Sequence, residues 1–167
     1  RNTKRKIEGD YFLMAVLFTS DLHFGHLNAI GFDNRPFKSV EHMKEELIRR
    51  WNAKVKPGDL VYVLGDFIWK MQDGEVHELL KQLNGQIILI KGNHDRFIKN
   101  AKTKKLLAGI KEQDDICVEL KDGTKRRVIL SHAFMPFYIG ARYNGVHLYG
   151  HFHNSREHYD ALEIIES

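Results

Sequence analysis

The sequence predicts a mixed α/β fold in which two β-sheets pack face to face with helices on the outside. In the first half of the chain, short apolar segments alternate with amphipathic helical segments, which is typical of crossover connections and a largely parallel sheet. In the second half, two apolar segments flank Lys121-Asp122-Gly123-Thr124, and an Asp-Gly pair in this position indicates a hairpin. At 167 residues the chain has the length of one ordinary domain and needs no disulfides to hold a core.

The first half is predicted to contain two helices between three strands. Ser39 is a suitable N-cap for the first helix, whose apolar residues keep the helical period until Pro57-Gly58-Asp59 ends it. Asp73 is predicted to cap the second helix, in which apolar residues again recur at helical spacing. The middle strand is an uninterrupted apolar segment, as expected for a strand buried on both faces. The three strands are predicted at residues 15–19, 60–64 and 86–90.

The second half is predicted to form the hairpin strands at residues 116–120 and 127–130, followed by one more strand at 146–149. No internal repeat or linker divides the chain, so residues 14–167 are expected to form a single domain. Met14 directly precedes the first strand, and residues 1–13 are therefore expected to be an extension outside the fold.

Composition narrows the class of protein. The net charge of +4 leans weakly toward phosphate-bearing partners, but on charge alone an ordinary solvated surface explains it at least as well. No apolar stretch approaches the roughly 20 residues that span a bilayer. The single cysteine, Cys117, lies in an apolar strand segment, where we expect it to be buried, and an unpaired thiol fits a reducing compartment. These observations predict a cytoplasmic protein without a membrane contact.

Five short clusters of Asp, His and Asn are the main indication of function. Most of them directly follow an apolar segment, and side chains at strand ends can converge when the strands share a sheet. Oxygen and imidazole donors without cysteine suit divalent metals, with Mn favoured and Fe, Ni or Zn as alternatives. The clusters are Asp21-Leu22-His23, Gly65-Asp66, Gly92-Asn93-His94-Asp95, Ser131-His132 and Gly150-His151-Phe152-His153.

The donors suffice for two metal ions. A carboxylate has two oxygens, so Asp66 can bridge two ions, and seven ligand residues then provide four contacts to each. Two divalent ions with two carboxylates and a hydroxide leave a charge of about +1, which attracts an anionic phosphate, and such a pair can activate water. His94 is then placed to protonate the leaving oxygen, with Asp95 holding its imidazole in orientation. The seven candidate ligands are Asp21, His23, Asp66, Asn93, His132, His151 and His153.

The ordered set of clusters, from Asp21 to His153, resembles the motif set of calcineurin-like metallophosphoesterases. The resemblance implies a four-layer αββα sandwich, with two packed mixed sheets flanked by helices, and a dinuclear metal centre. It implies that one metal is held by Asp21, His23, Asp66 and His153, and the other by Asp66, Asn93, His132 and His151. It also implies that His94 assists catalysis.

A longer match points to one branch of this family. Asp21-Leu22-His23-Phe24-Gly25-His26 together with Asn34-Arg35-Pro36-Phe37 resembles a small bacterial and phage-associated branch. The chain departs from that branch after His153, where a further strand with an Asn-Val-Gly-Val-Asp-like sequence usually follows. The ligand residues are unaffected by this departure.

We therefore expect a hydrolase of phosphate mono- or diesters, in which a metal-bridging hydroxide attacks phosphorus and His94 acts as general acid. The expected substrate is a small ester, for example a nucleotide-like one. A nuclease using the same two-metal centre is the alternative enzyme, and nucleic acid is then the partner. An inactive binding scaffold would be expected to have lost ligands, whereas all seven are present. His26 and Arg35 are candidate substrate contacts, although His26 could instead cap the helix start near Asn28, and Arg35 could be a surface charge.

Overall fold

The structure is a computed structural model that describes residues 14–153, 155, 156, 158–160 and 163. The expected extension at residues 1–13 lies outside the described residues. The α-helices and strands follow the order β1 (Val16–Thr19), α1 (Leu27–Phe32), α2 (Val40–Lys54), β2 (Leu60–Val63), α3 (Asp73–Lys81), β3 (Gln86–Ile90), α4 (Ala101–Lys104), β4 (Gly109–Lys111), β5 (Gln113–Glu119), β6 (Lys125–Ser131) and β7 (Val146–Leu148). Single 3₁₀ turns lie at Arg96–Lys99 and Ala141–Tyr143.

The strands form two sheets, which confirms the predicted mixed α/β fold class. The first sheet is parallel throughout, with the strand order β1-β2-β3-β4. In the second sheet β5 pairs antiparallel with β6, which in turn pairs parallel with β7. The edge strand β4 has only three residues, too few to show a strand period in the sequence, and it was not predicted.

The core of the molecule lies on both faces of the parallel sheet. Val61 and Val63 of β2 belong to a buried cluster on the side of α2 and α3. Tyr62 and Leu64 belong to a second cluster, which includes Leu130 of β6. Because neighbouring residues of β2 enter different clusters, this strand is buried on both faces, as its apolar sequence predicted. The second cluster contains residues of both sheets, so the sheets pack face to face.

The helix starts follow capping rules with one difference from the prediction. The Ser39 hydroxyl accepts the backbone N–H of His42 at 3.1 Å, as expected of an N-cap. For α3 the N-cap is Gln72 and not Asp73, which is the first helical residue. Gln72 and Glu75 form a capping box, in which the Glu75 carboxylate accepts the Gln72 N–H at 3.0 Å.

The strand β5 alternates between a partly buried face and an exposed one, and Cys117 lies on the exposed face. Its predicted burial was wrong, because the strand period of two places it on the opposite side from Ile116 and Val118. The four α-helices given bounds here precede β5 in the chain, and the described residues 156, 158–160 and 163, which follow β7, are also helical. Within the same residues, no helix combines the length and apolar character that crossing a membrane requires.

Candidate metal centre

The parallel sheet brings the first three clusters together at one edge. Asp21 follows β1, Asp66 follows β2 and Asn93 follows β3, and the carboxyl ends of parallel strands share an edge. The first two loops are also bonded to each other, since the backbone N–H of His23 donates to the Asp66 carbonyl at 2.9 Å. The Gly150 N–H donates to the His132 carbonyl at 2.9 Å, which joins the two loops that follow β6 and β7.

One group of donors consists of Asp21, His23 and His153, and their ligand atoms all lie within 4.8 Å of one another. The two imidazoles meet through Nε2, with 2.9 Å between the nitrogens of His23 and His153. The Asp21 Oδ1 lies 3.6 Å from Nε2 of His153 and 4.0 Å from Nε2 of His23. These residues come from the first and the last clusters in the sequence.

A second group consists of Asp66, His132 and His151, with their ligand atoms within the same limit. Nδ1 of His151 lies 3.2 Å from Nε2 of His132. The Asn93 Oδ1 is 2.9 Å from the same His132 nitrogen, so the amide oxygen joins this group. The structure therefore brings all seven candidate ligands together in two neighbouring groups.

Asp66 lies between the two groups. Its Oδ2 is 3.7 Å from Nε2 of His23 and 3.6 Å from Nε2 of His132. Its Oδ1 accepts the backbone N–H of His94 at 2.9 Å, which fixes the plane of the carboxylate. A single carboxylate oxygen therefore faces one imidazole of each group, which is the arrangement required of a bridging ligand.

The donor set fits divalent cations. Nδ1 of His132 lies 2.8 Å from the Leu64 carbonyl, which can only accept, so Nδ1 carries the proton and Nε2 presents a lone pair to the site. Lone pairs of imidazole nitrogens, carboxylates and an amide oxygen that converge in this way repel one another unless a cation or protons lie among them. Such mixed nitrogen and oxygen sites suit Mn, Fe, Ni or Zn.

The pKa directions of His23 and Asp66 agree with a ligand role, whereas that of His132 favours the protonated ring when no cation is bound. Burial lowers the pKa of His23 to about 4, so its ring is neutral at neutral pH and need not lose a proton to bind a metal. Burial alone would raise the pKa of Asp66, but the nearby His132 imidazole and the hydrogen bond from the His94 amide outweigh it and lower the pKa. For His132, burial favours the neutral ring, but the Asp66 carboxylate and the Leu64 carbonyl outweigh it and raise the pKa.

The backbone at five of the seven ligands has a positive φ. This left-handed region costs a non-glycine residue about 1–2 kcal/mol, although Asp, Asn and His tolerate it best. A fold retains such strain where the surrounding structure imposes it, and the residues concerned cluster at functional sites. The angles are 53° at Asp21, 50° at His23, 49° at Asp66, 78° at His151 and 48° at His153.

Three glycines allow donors to approach the backbone closely. A Cβ added at Gly65 would collide with Nδ1 of His132, and one added at Gly92 would collide with Oδ1 of Asp66. A Cβ at Gly150 would likewise collide with Oδ2 of Asp21. The glycine in three of the five clusters is therefore required by contact with a metal-ligand candidate.

His94 lies at the solvent side of the site, against an aromatic wall that the sequence did not reveal. Its side chain is 36% exposed, and its Nε2 is 3.9 Å from Oδ2 of Asp66. The ring packs on Trp69 with 4.3 Å between centroids, and Trp69 stacks on His26 at 3.9 Å with an angle of 10°. His26 is the N-cap residue of α1, but its side chain makes no cap hydrogen bond. The signal for Trp69 was only its position three residues after Asp66.

Asp95 makes different contacts from those we expected. Its buried carboxylate accepts the backbone N–H groups of Asp66 at 3.0 Å, Phe67 at 2.8 Å and Gly92 at 2.8 Å. Burial raises the pKa of this carboxyl, and the backbone hydrogen bonds partly oppose that shift. Asp95 therefore joins the loops after β2 and β3, rather than holding the imidazole of His94.

Arg35 is engaged by the protein rather than pointing a free guanidinium into the site. Its Nη1 donates to the Leu22 carbonyl and its Nη2 to the Asp21 carbonyl, each at 2.9 Å. Its Nε donates to Oδ2 of Asp33 at 2.9 Å. Arg35 thus supports the Asp21 loop through its backbone, and a substrate contact through this side chain stays a prediction.

The fold and the site define a class of protein. A family model described as calcineurin-like phosphoesterase matches residues 14–162 of the chain. The chain belongs to this family, whose members are metal-dependent phosphoesterases.

The individual relatives are less informative about function. The chain is 48% identical over 83 residues to an uncharacterized protein of Methanocaldococcus jannaschii. The matched region covers 49% of this chain and 47% of that protein. It is 36% identical over 80 residues to the gene 66 protein of Mycobacterium phage L5, covering 47% of this chain and 38% of the phage protein. The chain therefore spans less than half of the length of these relatives. The phage relative is consistent with the phage-associated branch that the longer motif resembled.

One solved structure covers most of the chain. The crystal structure of a protein of unknown function from Aquifex aeolicus superposes with a TM-score of 0.56 at 27% sequence identity. The match covers 92% of this chain and 71% of that chain.

Proposed function

We propose that this protein hydrolyses small phosphate mono- or diesters with two divalent metal ions, and that manganese is the preferred metal. The observation that carries the proposal is the position of Asp66, whose Oδ2 lies between an imidazole of each donor group. Two ions held there would supply Lewis acidity toward the phosphoryl oxygens and lower the pKa of a bound water.

The protein's own residues supply the remaining functions. Asp21 and Asp66 are the only carboxylates in the seven-residue set, so most ligands are neutral and the loaded centre would keep a positive charge that attracts a phosphate. The positive backbone φ angles and the contacts with Gly65 and Gly92 hold these donors in place before a substrate binds.

We propose that His94 is the general acid for the leaving oxygen. Its backbone N–H is bonded to Oδ1 of Asp66, so one carboxylate fixes both the centre and the residue beside it. Its side chain is partly exposed and packs against Trp69, so the imidazole is accessible from solvent. A positioned acid contributes typically 10²–10⁴-fold to a hydrolytic rate.

The test is a screen of the purified protein with added Mn²⁺ against phosphomonoesters, phosphodiesters, cyclic nucleotides and single-stranded nucleic acid. We expect turnover of a small ester, loss of turnover with EDTA and recovery with Mn²⁺. Cleavage confined to nucleic acid would favour the nuclease alternative instead. Undiminished turnover in a verified metal-free sample would end the two-metal proposal. A cytoplasmic location stays a prediction.

A further inference from the structure

We propose that Asp33, which belongs to none of the five clusters, is a positioning residue that orients His153 as a metal ligand. This inference rests on the proposed two-metal function. Asp33 is the C-cap of α1, and its Oδ2 lies 3.0 Å from Nδ1 of His153. The opposite nitrogen of that ring, Nε2, faces His23 and Asp21. A carboxylate that accepts the Nδ1 proton leaves Nε2 unprotonated and aimed at the metal.

His153 needs a hydrogen bond that orients its ring more than His23, the other histidine of the first donor group, does. Its side chain is 26% exposed, against 4% for His23, so the surrounding protein restrains it less. Among the described residues, the Asp33 carboxylate lies within hydrogen-bond distance of Nδ1 of His153. The orientation of the ring about the metal-facing nitrogen therefore depends on Asp33.

Arg35 holds Asp33 in turn. Its Nε and Nη2 lie 2.9 Å and 2.8 Å from Oδ2 of Asp33, the same oxygen that faces His153. The side chains of Arg35 and Asp33 are 14% and 17% exposed, so water screens this pair less than a surface pair. Since Nη1 and Nη2 also bind the Leu22 and Asp21 carbonyls, one guanidinium connects Asp33 to the loop that carries Asp21.

The turn after α1 explains why these two side chains meet. Asn34 has a φ of 49°, and the Arg35 N–H donates to the Ile30 carbonyl at 2.9 Å, which closes the end of the helix. This turn allows Asp33 and Arg35, two positions apart, to bond to each other and to the site. The Asp-Asn-Arg sequence thus links the first cluster to the last one through side chains outside both.

The experiment measures Mn²⁺ binding to the metal-free full chain by titration calorimetry, for the wild type, Asp33→Ala and Asp33→Asn. We expect one of two binding events to weaken by about 10- to 100-fold in Asp33→Ala, while the other keeps its affinity. Asp33→Asn keeps an acceptor oxygen of the same size, so its loss should be smaller. Asp115→Asn is the matched control, because Asp115 also pairs with an arginine, Arg127, but on the exposed face of the second sheet.

A second measurement separates positioning from a structural role. In ¹⁵N spectra of the metal-free protein at fixed pH, His153 should carry its proton on Nδ1 in the wild type and lose that preference in Asp33→Ala. Equal weakening of both binding events, or an unchanged His153 tautomer, would overturn the assignment of Asp33. A wild-type chain that binds no metal at all would instead overturn the proposed function, so the two failures are distinguishable.

Discussion

Replacing Asp95 by alanine tests whether this carboxylate joins two loops or orients His94. In the structure, it accepts three backbone N–H groups, from Asp66, Phe67 and Gly92, and it is only 3% exposed. Asp95→Ala removes both acceptor oxygens, and with them all three hydrogen bonds, and leaves the amide groups buried. We therefore expect a loss of folding stability as well as a loss of metal binding.

The size of the loss follows from those contacts. Each buried donor left without a partner costs about 1–3 kcal/mol. The lower part of that range applies, because burying the carboxylate is itself costly and raises its pKa. Asp95→Ala should therefore lower the free energy of unfolding by about 3–5 kcal/mol. Asp95→Asn can keep its oxygen toward Asp66 and Gly92 and loses only the acceptor for Phe67, so about 2 kcal/mol is expected.

The assay is urea unfolding of the metal-free proteins followed by circular dichroism, with Asp115→Asn as an exposed control that should stay close to the wild type. Metal binding measured on the folded variants should weaken, because the Asp66 amide loses its acceptor and Asp66 then moves. Wild-type stability in Asp95→Ala, combined with a changed pH profile of turnover, would refute the loop-joining role and favour orientation of His94.

The remaining predictions concern the centre itself. Asp66→Ala should weaken the binding of both metal ions, measured as metal content after dialysis, and full occupancy of two ions in that variant would refute the bridging role. His94→Ala should keep its metal content and lose about 10²–10⁴-fold in turnover, most for esters with poor leaving groups. An equal loss for activated esters would contradict acid catalysis. Replacement of the exposed His42 by alanine is the control. Gly92→Ala should push the Asp66 carboxylate away and reduce the metal content. Gly74→Ala should leave the metal content unchanged, because a Cβ added there meets no atom within 4 Å. Equal metal content in the two variants would refute the steric argument.

The sequence predicted the strands that have a strong apolar signal and missed those that have little. The segment 60–64 is apolar throughout because β2 is buried on both faces, and the structure places β2 at Leu60–Val63. Strand β4 has three residues and joins the sheet only through its pairing with β3. The expected burial of Cys117 is wrong because an apolar segment does not by itself indicate burial. In β5 the strand alternation decides which side chains face the core.

The candidate ligands could be predicted because the donors lie close together in the sequence, in short clusters at the ends of strands. The residues that hold them in place were harder to find. Trp69 and Asp33 are single residues with no motif of their own, and only the folded chain brings them against His94 and His153. The contacts of Asp95 were also hidden, because backbone amide groups carry no sequence signal and an adjacent histidine is the more obvious partner.

The first donor group joins parts of the chain that are far apart in sequence. His23 and His153 are separated by 130 residues, and the contact between them spans nearly the whole domain. A metal ion held by both would act as a cross-link between the first strand and the segment after β7, and cross-links over long loops restrict the unfolded chain most. Loss of metal would then release the C-terminal segment before it disturbs the parallel sheet, so the docking of that segment would follow the supply of metal.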